Sequence, residues 1–249
     1  MSQAKKVFTR MCLNNWGGID HKVLEFHEYV NLFSGKSGSG KSTVMDAIQV
    51  ILYGSFSPSF LNKAADDAKN RRSVLSYLRG EQKDGSANRK DCDFCSVIAL
   101  EIEDTGTHII TCIGIAFEVR KSDSEIKKFV YFSHSGKMPE SEYLTEQGVC
   151  YSNQEIKKLV SVRTKSDDNR GKGEVNRIYG SKEAYLGTLY DVILGYIDQN
   201  RFITMEKSAI ALKMTNGTGQ FIRDYMFPKN TSNTIATISE QLDSYRQIK

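Results

Sequence analysis

Proline is almost missing from this sequence, with 3 in 249 residues, too few for a proline-rich linker or a polyproline segment. Long apolar runs are missing too. The longest nearly unbroken one, Ile109 to Phe117, is too short to cross a bilayer and contains Thr111 and Gly114. Met1 to Arg10 carries charge with no apolar stretch behind it, which excludes a secretory signal. These absences exclude a membrane protein and predict a cytoplasmic one. Charge of one sign is lacking as well: 34 Lys+Arg against 30 Asp+Glu leave a net charge of +4, a weak argument for nucleic acid.

The cysteines number 5, an odd count in a chain without an export signal, so reduced thiols are expected rather than a disulfide framework. Cys92 and Cys95 form one C-x-x-C, but no second pair follows at zinc spacing, and Cys112, Cys150, His108 and His134 are scattered. A pair of thiols at a strand edge is the reading preferred over zinc. With 39% hydrophobic and 26% charged residues the chain is of globular composition. Its length admits one large domain or two small ones.

One motif stands out. Gly35-Lys36-Ser37-Gly38-Ser39-Gly40-Lys41-Ser42 matches G-x-x-x-x-G-K-[ST] without a mismatch. Its flanks fit: Glu28 to Phe33 carries Tyr29, Val30, Leu32 and Phe33 and predicts a strand running into Gly35. Val44, Ala47, Ile48 and Ile51 fall at helical spacing, with Gly54 where a C-cap glycine belongs. In such a loop the glycines let successive N–H groups point at phosphate oxygens, beside the positive end of the next helix. Lys41 is expected to bridge β- and γ-phosphates, Ser42 to ligate Mg²⁺, and Thr43 to add a contact to the α-phosphate. Residues Gly35 to Thr43 are therefore the expected ATP–Mg²⁺ site.

Val7 to Leu13 and Val23 to Phe26 predict two strands joined by Asn14-Asn15-Trp16-Gly17-Gly18-Ile19-Asp20. Trp16 is either a buried anchor or a contact to base or ribose. A complete hydrolysing site also needs an acidic residue at the end of an apolar strand. Val97 to Asp104 comes nearest, yet its alternating charges describe a half-exposed antiparallel strand, and Tyr190 to Asp198 reads as a helix end. No L-S-G-G stretch exists.

Arg71 to Gly80 predicts a short helix, in a region where Lys69, Arg71, Arg72, Arg79, Lys83, Arg89 and Lys90 cluster among interleaved acids. That cluster reads as a solvated face rather than a phosphate-backbone contact. Phe94 to Glu103, Thr107 to Arg120 and Lys127 to Ser133 predict an antiparallel meander, Asp167 to Gly173 a linker, and Ser181 to Gly195 a helix capped by Ser181. Phe221 to Phe227 is a short apolar element stopped by Pro228. Ile235, Ile238, Leu242 and Tyr245 form an a/d seam that is either a short coiled coil or an ordinary amphipathic helix. Lys249 ends the chain inside that helix, which predicts a longer protein.

Taken together these stretches resemble the N-terminal half of an SMC-like ATPase head, and within that superfamily the MukB-like, JetC-type ATPase of Wadjet anti-plasmid systems. The residues that carry the resemblance are Leu13 to Asp20, Gly35 to Ser42, Asp46-Ala47-Ile48-Gln49 and Leu52-Tyr53-Gly54. Further stretches are Asn62-Lys63-Ala64-Ala65, Arg72-Ser73, Tyr77-Leu78-Arg79-Gly80, Ala184-Tyr185-Leu186, Phe221 to Tyr225 and Leu242 to Ile248. The resemblance implies an α/β P-loop NTPase lobe of the ABC/SMC-head kind over residues 1–230, with an antiparallel β meander, and the start of a coiled-coil arm over 231–249. It implies a split head whose signature and acidic strand return in a C-terminal half. ATP would then be sandwiched with a second head in a homodimer that acts on double-stranded DNA and can carry a kleisin-type subunit. It also implies a Gln that senses Mg²⁺ and γ-phosphate; Gln220 stands at about the expected place and Gln199 is the other candidate. Two rivals remain open: a self-sufficient small P-loop NTPase or kinase using Asp104 or Asp198, and a truncated non-catalytic binding module.

Overall fold

The structure is a computed structural model that describes residues 4–36, 38–57, 61, 73–82, 85–166 and 175–210. Ser37, Asn62 to Ala65, Arg71, Arg72, the linker at 167–173, Gln220, the element at 221–227 and the arm at 231–249 lie outside the described residues. The chain divides into two compact units, Met1–Asp198 and Gln199–Lys249. In the second, residues Gln199–Ile210 form an α-helix, α5.

The first unit is built on a six-stranded antiparallel sheet in the order β2-β1-β3-β4-β5-β6. Its strands are β1 (Lys6–Trp16), β2 (Ile19–Glu25), β3 (Phe94–Asp104), β4 (Ile110–Val119), β5 (Lys128–Ser135) and β6 (Arg177–Tyr179). The meander expected from the sequence is β3-β4-β5. β3 and β4 are buried along most of their length because both of their faces are covered.

The pleat sorts the side chains between those faces. The row Cys12, Ala99, Gly114, Phe132 lies across β1, β3, β4 and β5. It faces a core closed by Ile156 and Val160 of helix α3 (Asn153–Ser166). The alternate row, Leu13, Ile98, Ile115 and Tyr131, faces the other way. Tyr131 donates to the carbonyl of Gly54 at 2.7 Å, which places helix α1 (Lys41–Tyr53) on that second face. Helix α3 begins with a capping box that the sequence reading does not single out. The Ser152 N–H donates to Glu155 Oε2 at 2.6 Å, and the Glu155 N–H donates to Ser152 Oγ.

The C-terminal end of α1 is held by tyrosines. Gly54 takes the left-handed C-cap conformation expected of it (φ 53°). The hydroxyls of Tyr185 and Tyr190 donate to the carbonyls of Ile51 and Leu52 at 2.9 and 3.0 Å. Tyr185 lies on α4 (Lys182–Gly187), which Ser181 caps as expected; Tyr190 lies on the π-helical turn Thr188–Ile193 that continues it. The π turn continues α4 without a break, so both hydroxyls reach successive orphan carbonyls of α1.

Two expectations are overturned. The strand at Val97 to Asp104, expected to be half-exposed, is buried from Val97 to Ile102 because both of its faces are covered. Residues 28–33 do not form a strand and take no part in the sheet. Tyr29, Val30 and Leu32 are 70, 76 and 88% exposed. Strand-favouring residues form a strand only against a neighbour that accepts their hydrogen bonds, and no described strand lies there to do so.

Candidate phosphate-binding site

The phosphate loop stands between that irregular segment and α1. Gly35, Gly38 and Gly40 all have positive φ (154°, 85° and 88°), and Gly40 in the left-handed region is the N-cap of α1. The backbone thus makes the sharp turns that the motif requires. The Lys41 ammonium is turned into the loop and donates to the carbonyls of Gly35 at 2.6 Å and Lys36 at 2.9 Å, and to Ser39 Oγ at 3.3 Å. The N–H of Ser39 donates to the same Lys36 carbonyl at 3.2 Å. Ser42, in the first turn of α1, is exposed. The chemistry of this donor set fits a Mg²⁺–polyphosphate: an ammonium at the centre of a glycine loop, a helix N-terminus behind it, and an exposed serine hydroxyl beside it.

The Asn14 to Asp20 motif turns out to be the brace of this loop. Trp16 is fully buried; its indole N–H donates to the Thr43 carbonyl at 2.9 Å, and its ring stacks on Tyr77 at 5.1 Å. It is the anchor of the two readings. Tyr77 belongs to the short helix α2 (Val74–Arg79), and its hydroxyl donates to the carboxylate of Asp46 on α1. Gly17, at φ 59°, donates its N–H to the Tyr77 carbonyl at 2.8 Å and touches Thr43 so closely that a Cβ there would stand 2.5 Å from Thr43 Cγ2. The asparagines point elsewhere: Asn14 Nδ2 donates to the Glu142 carbonyl at 2.8 Å and Asn15 Nδ2 to the Cys95 carbonyl at 2.7 Å.

Arg89 locks the brace, and nothing in the sequence singles it out. Its guanidinium donates to the carbonyls of Leu78 and Gly17 and to Asp20 Oδ1, and lies 5.7 Å from the centroid of Phe94. Arg79 likewise spends its donors on the carbonyls of Lys121 and Asp123. Of the described members of the basic cluster, Arg79 and Arg89 are therefore structural, while Lys90 is exposed.

Asp104, the acid a self-sufficient site would need, is far from the loop. It pairs with Lys6 at the start of β1, whereas Trp16 at the end of β1 meets Thr43. Ten residues of strand separate them, roughly 33 Å at 3.3 Å per residue. There Asp104 accepts from Lys6 Nζ and from the N–H groups of Gly106 and Thr107, which hold its carboxyl at about 2. Asp198 follows the π turn that packs at the other end of α1, and Gln199 opens α5 in the second unit. Cys92 is exposed and Cys95 half-buried in β3, where burial raises its thiol to about 11. No group of metal-ligating residues occurs among the described residues.

Residues 8–68 match the family model for the P-loop containing region of AAA domain. Over 74 residues the chain is 34% identical to the C subunit of the nuclease SbcCD from Staphylococcus haemolyticus (strain JCSC1435), an alignment that covers 28% of this chain and 6% of that protein. The chain therefore spans a small fraction of the curated relative's length. Among solved structures it is similar to a chain from work on ATP-driven dimerisation and DNA-stimulated activation of SMC ATPases. There the identity is 16% and the TM-score 0.34, covering 53% of this chain and 72% of that one. It is also similar to the ATP complex of the recombination mediator RecF, with 15% identity and a TM-score of 0.33 over 84% of this chain and 45% of that one. What the family model adds is that the N-terminal residues 8–68, which include the glycine loop, are similar to a P-loop containing region.

Proposed function

We propose that this chain is the Mg-ATP-binding N-terminal lobe of an SMC-like head, completed by a C-terminal segment and a second head, in a DNA motor of the JetC type that serves plasmid defence or DNA maintenance. One observation carries the reading. The apolar segment Tyr29 to Phe33 stands outside the sheet and leads directly into a formed phosphate loop. A P-loop strand is ordinarily buried between neighbours, and these side chains present the surface that a returning strand would cover. In this reading Gly35 to Thr43 hold the phosphates, Lys41 bridges the β- and γ-phosphates, and Ser42 ligates Mg²⁺, the ion that neutralises charge at the phosphates when bound. The distance of Asp104 from the loop speaks against that residue as the acid of a self-sufficient NTPase.

The test is steady-state ATP turnover by the chain, wild type beside Lys41→Ala, with labelled Mg-ATP binding on the same samples. Binding that depends on Lys41, without turnover until the C-terminal segment is supplied, is expected. Turnover by the chain alone that vanishes in Lys41→Ala would show a complete active site and overturn the split-head reading.

A further inference from the structure

Among the described residues, none forms a hydrogen bond or ion pair with the side chain of Lys36, which is exposed. Its main chain, by contrast, is central: the Lys36 carbonyl accepts from both Lys41 Nζ and the Ser39 N–H. A carbonyl 2.9 Å from that ammonium fixes the Lys36 Cα about 5 Å from it by covalent geometry. A lysine stem can therefore bring a second ammonium to the phosphate that Lys41 meets. The local charge agrees. From Tyr29 to Met45 the chain holds two cations, Lys36 and Lys41, and no Asp or Glu. Two like charges in one small loop, with a helix N-terminus behind them, repel each other until a polyanion lies between them.

We propose that Lys36 is a second phosphate-binding cation of the loop, directed at the terminal phosphate, and that it makes the site prefer a nucleoside triphosphate over the diphosphate. The proposal rests on the nucleotide-binding reading above. The terminal phosphate is assigned because Lys36 contacts Lys41 at its ammonium, the group that spans the last two phosphates, and not at the helix end of the loop.

The experiment is displacement of a fluorescent nucleotide by Mg-ATP and by Mg-ADP, at two salt concentrations, on the full chain and its Lys36→Ala, Lys36→Arg and Lys41→Ala variants. Lys36→Ala is expected to weaken Mg-ATP about 5- to 10-fold, within the range of one net hydrogen bond, and to leave Mg-ADP within about twofold. Its Mg-ATP affinity should also depend less on salt, and Lys36→Arg should restore most of the loss. Equal losses for the two nucleotides, or none for either, would overturn the proposal while leaving the phosphate site standing. A wild-type chain that binds neither nucleotide would instead remove the functional reading on which it rests.

Discussion

The indole of Trp16 stacks 5.1 Å from the ring of Tyr77, with their planes 6° apart, and the two residues hold the same helix by different atoms. Trp16 takes the Thr43 carbonyl and Tyr77 takes the Asp46 carboxylate, so the first turns of α1 are tied to the β1–β2 turn and to α2 at once. The N-terminus of α1 is the part of a P-loop fold that must not move, because its N–H groups and the loop before it present the donors for phosphate.

This brace makes Trp16→Phe a test of position rather than of bulk. The variant keeps an aromatic ring against Tyr77 and loses one hydrogen bond to a part-buried carbonyl, at a cost of about 0.5–1.5 kcal/mol. Urea denaturation followed by far-ultraviolet circular dichroism should show the midpoint fall with the slope unchanged, and Mg-ATP affinity should fall at temperatures where the variant is still folded. Full affinity in a destabilised Trp16→Phe would detach the brace from the site.

Gly17 and Gly18 are neighbours with opposite tolerance. At Gly17 the backbone is left-handed and a Cβ would press on Thr43, while at Gly18 a Cβ would meet nothing within 4 Å. Gly17→Ala is expected to cost more than about 1 kcal/mol and to weaken Mg-ATP binding, and Gly18→Ala to do neither. Thermal melts of the two variants side by side, with nucleotide titrations, check it.

Much of this is legible in sequence and some is not. The phosphate loop, α1 with its Gly54 cap, the meander and the Ser181 cap all declare themselves through local spacing and capping chemistry, which need no partner. Residues 28–33 mislead because strand propensity states what a segment can do beside a neighbour, not whether one is present. Helix α3 escapes notice although Ser152 and Glu155 spell a capping box, because its apolar positions are few: Ile156 and Val160 alone are buried. Arg89 cannot be read as a clamp, since its partners Gly17, Asp20 and Leu78 come together only in the fold.

The C-terminal end of α1 offers a double-mutant cycle. Tyr185→Phe and Tyr190→Phe each remove a donor from a buried carbonyl of α1, at about 1–2 kcal/mol apiece. Because both hydroxyls serve one helix end from the continuous segment of α4 and its π turn, the double variant should lose less than the sum, a coupling of at least about 0.5 kcal/mol by denaturant titration. Strict additivity would mean that this segment does not hold the pair as a unit.

His134 contributes to the acid limb of stability. It is buried between the Tyr143 hydroxyl at 2.9 Å and the Ser135 carbonyl at 3.0 Å, and burial lowers its pKa to about 4 from the ordinary 6.5. The native state therefore keeps this ring neutral where the unfolded chain would protonate it. Between those two values the unfolded state binds the extra proton, so stability is complete above about 6.5, declines as pH falls towards 4, and is not lowered further by this group below that. Each pH unit across the window costs about 1.4 kcal/mol at the steepest. His134→Gln keeps a polar side chain and cannot titrate. Its stability, measured by urea titration from pH 7 to pH 4, should start lower than wild type and lose the part of the slope that His134 contributes. A wild-type and a variant profile that run parallel through that range would show that the imidazole does not change its charge on unfolding.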